Sequence, residues 1–226
     1  MDVFQDYLFE LRFKPYSKVL DKRGEIAQSL SGELLNQWNI KTNTIDFASE
    51  KDPDVSAFFS YQNLGACSVS PRSKKDFIEV ATELLKKSWT HFPTNEILRI
   101  GVRSRYLKPV KDFTSVFDKY RTKFLALSDE DLSKMGGDLI DVGFPMNFYD
   151  GPNYYNLMTG PLKKEQFSAF IKKYPDDVEQ GIFVDVDYFN KDTSPNIRQK
   201  EVIEFIEHAL GRSEAVTELI SNDWLK

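Results

Sequence analysis

Apolar residues in this 226-residue chain recur at every second position, then about every 3.6, then at every second again, and they do so in each half. A period of two buries one face of a strand, and the longer period buries a stripe of helix. The alternation therefore demands a fold in which helices and sheet share a core.

Tyr7, Phe9, Leu11 and Phe13 share one side of the first strand, with Leu8, Glu10 and Arg12 on the other. From Ser17 to Asn39, Val19, Ile26, Leu30, Leu34 and Trp38 follow helical spacing, interrupted by Gly24 and Gly32, which are poor helix residues. Asn43 to Phe47, Val55 to Tyr61 and Gly65 to Ser70 read as an antiparallel meander, because Asp52-Pro53-Asp54 and Gln62-Asn63-Leu64-Gly65 have turn chemistry. Ser73, with Asp76 three places on, caps a helix whose stripe is Phe77, Val80, Ala81, Leu84, Leu85 and Trp89.

The second half repeats this order. Ile97 to Tyr106 is a strand, and Phe113, Val116, Phe117, Tyr120, Phe124 and Leu127 mark a helix, followed by a short turn of helix capped by Ser128 and Asp131. Leu139 to Tyr149 and Tyr154 to Leu162 flank Asp150-Gly151-Pro152-Asn153, which predicts a hairpin. A helical insertion around Lys163 to Lys172 precedes the strand Ile182 to Phe189, and Val202, Phe205, Ile206 and Ala209 give a helix after Pro195. The amphipathic end, with Leu219, Ile220, Trp224 and Leu225, either docks on the body or is offered to a partner. The expected fold is α+β: a single domain over residues 1–226, two-layer, with an antiparallel sheet and helices packed on one side. Two pseudo-repeats of β-α-β-β-β-α span 1–92 and 93–226.

Hydrophobic residues make up 41% of the chain, with 18 Phe, 10 Tyr and 3 Trp, which is enough to fill a core and argues against disorder. A net charge of −5 sets the molecule as a whole against phosphate backbones and anionic membranes. The single cysteine, Cys67, lies in a segment (Ala66 to Val69) that reads as a buried strand and forms no internal disulfide, which fits a reducing compartment. Met1 to Asp6 has no basic stretch followed by an apolar one, and no apolar run approaches the roughly 18 residues of a membrane span. A cytoplasmic protein without membrane contact is expected.

The most distinctive polar feature is the strand around Gly101, where a period of two lines up Arg99, Arg103 and Arg105. Three guanidiniums in a row suit phosphate or carboxylate, and the missing side chain at Gly101 would let a ligand approach. The competing reading is cross-strand ion pairing, since Glu10 and the strand Phe183 to Asp187 offer carboxylates with matching alternation. Asp185 and Asp187, with Asp138 and Asp141, suggest an oxygen-rich Mg²⁺ or Mn²⁺ site, against the plain reading of acids on a strand face. His91 and His208 have no second ligand at useful spacing, and Cys67 has no local base, so all three read as structural. No phosphate-cradling glycine loop, nucleophile elbow, paired cysteine knuckle or histidine pair around glutamate is present, so no catalytic residue or cofactor is assigned. The segment Asn147 to Asn156 combines Tyr149, Tyr154 and Tyr155 with asparagines, a composition suited equally to recognition and to ordinary strand packing.

Phe9-Glu10-Leu11-Arg12-Phe13 and Arg99-Ile100-Gly101-Val102-Arg103 resemble a sporadically distributed, uncharacterised bacterial protein family, whose members open with an apolar-Glu-apolar-Arg-aromatic strand. The aromatic expected directly after the second arginine is Ser104 here, with Tyr106 two places later. The resemblance covers most of the chain, assigns no reaction, and implies accessory functions such as antiviral defence or toxin neutralisation. The leading expectation is a non-catalytic bacterial interaction or sensor protein with a protein partner. The alternatives are a nucleic-acid or nucleotide binding protein using the arginine row, and an acid-dependent hydrolase or phosphotransfer enzyme using Asp185 and Asp187.

Overall fold

The computed structural model describes residues 3–191, 193 and 197–224, so Pro195 and Leu225 of the sequence pattern lie outside the described residues. The first half runs β1 (Phe4–Phe13), α1 (Lys18–Asp21), α2 (Arg23–Leu30), β2 (Gln37–Ile40), β3 (Thr44–Ala48), β4 (Val55–Ser60), β5 (Asn63–Val69) and α3 (Lys74–Ser88). The second runs β6 (Ile97–Pro109), α4 (Phe113–Phe124), α5 (Asp129–Lys134), β7 (Phe144–Asp150), β8 (Asn153–Lys163), α6 (Lys164–Phe167), β9 (Gln180–Asn190) and α7 (Gln199–Glu218). The strands form one sheet in the order β2-β3-β4-β5-β1-β6-β9-β8-β7, with every neighbouring pair antiparallel. The protein is therefore α+β, as the periodicities require. No described helix is long and apolar enough to cross a membrane.

Tyr7, Phe9, Leu11 and Phe13 are all buried, and β1 lies between β5 and β6 at the heart of the sheet. Their side chains enter one large cluster with Ile26 and Leu30 of α2, Phe77 and Leu84 of α3, Tyr120 of α4, and Ile206 and Leu210 of α7. Local chemistry sets the helix starts. In α3, Ser73 Oγ accepts the Asp76 amide while the Asp76 carboxylate takes the Ser73 amide, and Ser128 and Asp131 do the same for α5.

Three expectations need correction. The helix expected from Ser17 to Asn39 stops at Leu30. Ser31 turns to extended backbone, Lys87 Nζ takes the Ser31 carbonyl at 2.8 Å, and a Cβ at Gly32 would run into the Glu83–Lys87 ion pair. Trp38 instead projects, 49% exposed, from the edge strand β2. Leu139 to Gly143 stay out of the ladder, with the Val142 carbonyl against Gly160, where a Cβ would meet it at 2.5 Å. Finally, the helices are not confined to one side. Phe167 and Ile171 form a second cluster with Leu107, Leu162 and Phe183, residues that alternate away from the main core. Beyond α7, Ile220 is buried and the Trp224 ring lies 5.1 Å from that of Phe124, so the segment from Leu219 to Trp224 docks on the body.

Candidate functional site

With the odd positions of β1 in the core, Asp6, Leu8, Glu10 and Arg12 occupy the face that the long helices leave open. The register sets Arg105, Arg103, Gly101 and Arg99 of β6 opposite those four residues. On the other side of β6, Arg103 faces Asp187 and Arg105 faces Asp185 of β9. The arginine row thus lies between two strands that carry carboxylates on the same face.

The ion pairs run diagonally: Arg103 takes the acid one pleat out of register, and Arg99 reaches the acid two pleats out. Arg103 Nε donates to both Asp185 oxygens at 2.9 and 3.1 Å, and its Nη2 to Oδ2 at 2.5 Å. Arg99 Nη2 reaches both Asp187 oxygens at 2.9 and 3.0 Å, with Glu10 at 3.6 Å from Nη1. The long guanidinium stems make the diagonal as reachable as the direct pairing. One arginine is then left over: among the described residues Arg105 donates no hydrogen bond, its ion-pair partner within 4.0 Å being Asp185 at 3.8 Å. Arg99 also fills the space over Gly101, where a Cβ would meet Nη1 at 2.8 Å, and its guanidinium lies 4.6 Å from the Phe189 ring. The gap expected at Gly101 for a ligand is closed by the neighbouring side chain.

Glu10 anchors the row's end, accepting from Arg12 Nε at 2.9 Å and Asn63 Nδ2 at 2.8 Å. Burial pushes its carboxyl up, but those hydrogen bonds and the charges of Arg12 and Arg99 outweigh burial and hold it below its ordinary 4.5. Its stabilising contribution is therefore present above that value and disappears as pH falls through the folded one. Glu10→Gln is expected to cost about 1 kcal/mol at neutral pH, with the gap to wild type closing in acid. Urea unfolding at neutral pH and near pH 3 checks this, and a gap independent of pH would contradict it.

The tyrosines divide between the two faces. Tyr149, 70% exposed, pairs with Tyr154 at 5.1 Å between rings, and Tyr154 stacks on Phe189 at 5.6 Å, so both border the arginine row. Tyr155 instead points into the core, stacked against Phe148 and Tyr188, so of the two readings of this segment strand packing holds for it. Neighbours along a strand face opposite ways, so all three could never share one site.

The acidic cluster is not assembled. Asp185 and Asp187 are held by arginines, Asp141 accepts from Gln166 Nε2, and Asp138 borders a separate cleft beside Arg121 and Asp129. Among the described residues no group of three or more metal-ligating side chains comes together. His91 shares a 2.9 Å hydrogen bond with Ser29, and His208 meets the Tyr188 ring edge-on. Cys67 lies on β5 as predicted but on the open face, half-buried, and burial raises its thiol above its ordinary value.

Two residues that the sequence did not single out complete the face. Asp6 sits opposite Arg105, and Lys172 arrives from the segment after α6. Extending the period of two one step before Tyr7 would have found Asp6, whereas no local pattern points to Lys172. The chain matches no family model and no curated protein.

Proposed function

We propose that this chain is a non-catalytic bacterial interaction or sensor protein working through the open sheet face, in an accessory role of the antiviral-defence or toxin-neutralising kind. The supporting observation is the charge-matched row of Arg99, Arg103, Asp185, Asp187 and Glu10, held rigid by bidentate contacts and bordered by Tyr149 and Tyr154. Such a surface is preorganised and combines aromatic area with fixed polar groups, as recognition surfaces do. The same pairing weighs against a nucleic-acid or nucleotide role for the whole row, because carboxylates offset the charge that phosphates would need. It weighs against a hydrolase or phosphotransfer role too, since Asp185 and Asp187 are occupied.

The pseudo-repeat architecture belongs to the same proposal. From the central β1–β6 pair, β5, β4 and β3 on one side answer β9, β8 and β7 on the other, while β2 and α6 fall outside the match.

Affinity capture from bacterial lysate followed by native mass spectrometry tests the function. Wild type is expected to retain one protein in fixed stoichiometry, and Tyr149→Ala/Tyr154→Ala to lose it while keeping its thermal stability. Equal retention by the double variant, or capture of nothing by either, would overturn the proposal.

A further inference from the structure

Next to the arginine row, where the chain after α6 crosses the open face, a cleft of about 310 Å³ lies between β4, β5, β1 and β6. Its polar end is formed by Asp6, Arg105 and Lys172, and its apolar walls by Leu8 and Phe58. Asp6 is 5% exposed; its Oδ2 accepts the Lys172 backbone N–H at 3.1 Å, whereas its Oδ1 makes no hydrogen bond of good geometry among the described residues. A buried carboxylate oxygen left unpaired is a costly exception in a folded protein. The cations beside it are also short of partners. Among the described residues, Arg105 donates no hydrogen bond and Lys172 Nζ has no carboxylate within 4.0 Å, while Cys67 Sγ lies 3.8 Å from it.

We infer that this cleft binds a small zwitterion of the free α-amino acid class, with its ammonium beside the Asp6 carboxylate, its carboxylate on Arg105 and Lys172, and its side chain against Leu8 and Phe58. An anion alone would face the Asp6 carboxylate, and a cation alone would face two positive charges. Only a molecule carrying both signs a short distance apart satisfies all three groups. Asp6 and Arg105 are direct cross-strand partners, so an acidic and a basic group border the same end of the cleft. The volume admits an amino acid with a large apolar side chain. This inference gives the sensor reading a ligand without depending on the protein partner, and its test is independent of lysate capture.

Titration calorimetry on the full chain decides it, with L-leucine and L-phenylalanine as probes, γ-aminobutyrate as a longer zwitterion, and inorganic phosphate and acetate as plain anions. At least one α-amino acid is expected to bind, more tightly than the longer zwitterion or either anion. Asp6→Asn and Arg105→Gln are each expected to weaken that binding about tenfold or more. Burial raises the Asp6 carboxyl above its ordinary value despite the Lys172 and Ser70 amides and the charges of Arg105 and Lys172, so its charge disfavours folding at neutral pH. Asp6→Asn should thus unfold at or above the wild-type temperature, which separates lost binding from lost structure; if that variant fails to fold, Arg105→Gln carries the test alone. No binding by any amino acid, equal binding of phosphate, or unchanged affinity in the folded variants would each overturn the assignment.

Discussion

Phe9→Ala is expected to lower the free energy of unfolding by about 3–5 kcal/mol, the largest effect of any single change considered. Phe9 is fully buried in the middle of β1, opposite Ala66 on β5 and Val102 on β6, and belongs to the core cluster that also takes in α3 and α7. Removing the ring forfeits its transfer free energy and leaves a void, because the sheet backbone on both sides resists collapse. Phe9→Leu should cost far less, about 1.5 kcal/mol at most, since it nearly conserves apolar volume. Urea unfolding of both variants with an unchanged slope is the check; a loss below about 1 kcal/mol for the alanine variant would mean that β1 is not where the core is densest.

The second large effect is expected from Asp185→Ala, at about 2 kcal/mol. The Asp185 side chain is 9% exposed, holds Arg103 by hydrogen bonds and lies 3.8 Å from Arg105, so its loss strips one guanidinium of its hydrogen-bonding carboxylate and the other of its ion-pair partner in a half-buried site. Water can reach Arg103, which keeps the cost below that of a fully buried pair. Asp187→Ala should cost less, because Arg99 retains Glu10 at 3.6 Å and the Phe189 ring. A double-mutant cycle of Asp185→Ala with Arg103→Met is expected to show a coupling of about 1 kcal/mol, since removing both partners leaves less unpaired charge than removing one. Additive costs would mean that the bidentate geometry contributes nothing beyond two independent side chains.

Much of the fold was legible because it rests on local rules. Alternation placed Tyr7, Phe9, Leu11 and Phe13 in the core, and the Ser73–Asp76 and Ser128–Asp131 boxes marked helix starts at which the structure agrees to the residue. The misreadings share one cause. Leu34 and Trp38 kept helical spacing after Leu30, but pairing of β2 with β3 and the Lys87 contact with Ser31 overrode that weak periodicity. The helical insertion was found, yet nothing local said that Phe167 and Ile171 would cover the opposite face of the sheet.

The candidate site divides in the same way. By itself, the sequence determined that Arg99, Arg103 and Arg105 share one face, and that Asp185 and Asp187 share one, because side-chain direction along a strand follows from position alone. It equally determined that Tyr154 and Tyr155 point opposite ways, a consequence the tyrosine count concealed. Tertiary structure decided which carboxylate holds which arginine, since the strands meet only across their register and the pairs then settle on the diagonal. It alone decided that Arg105 is left over, and that it stands beside a buried Asp6 and a Lys172 separated from that aspartate by 166 positions in the chain. Periodicity is a property of neighbours, whereas a cleft is made by residues that become neighbours only when the sheet closes.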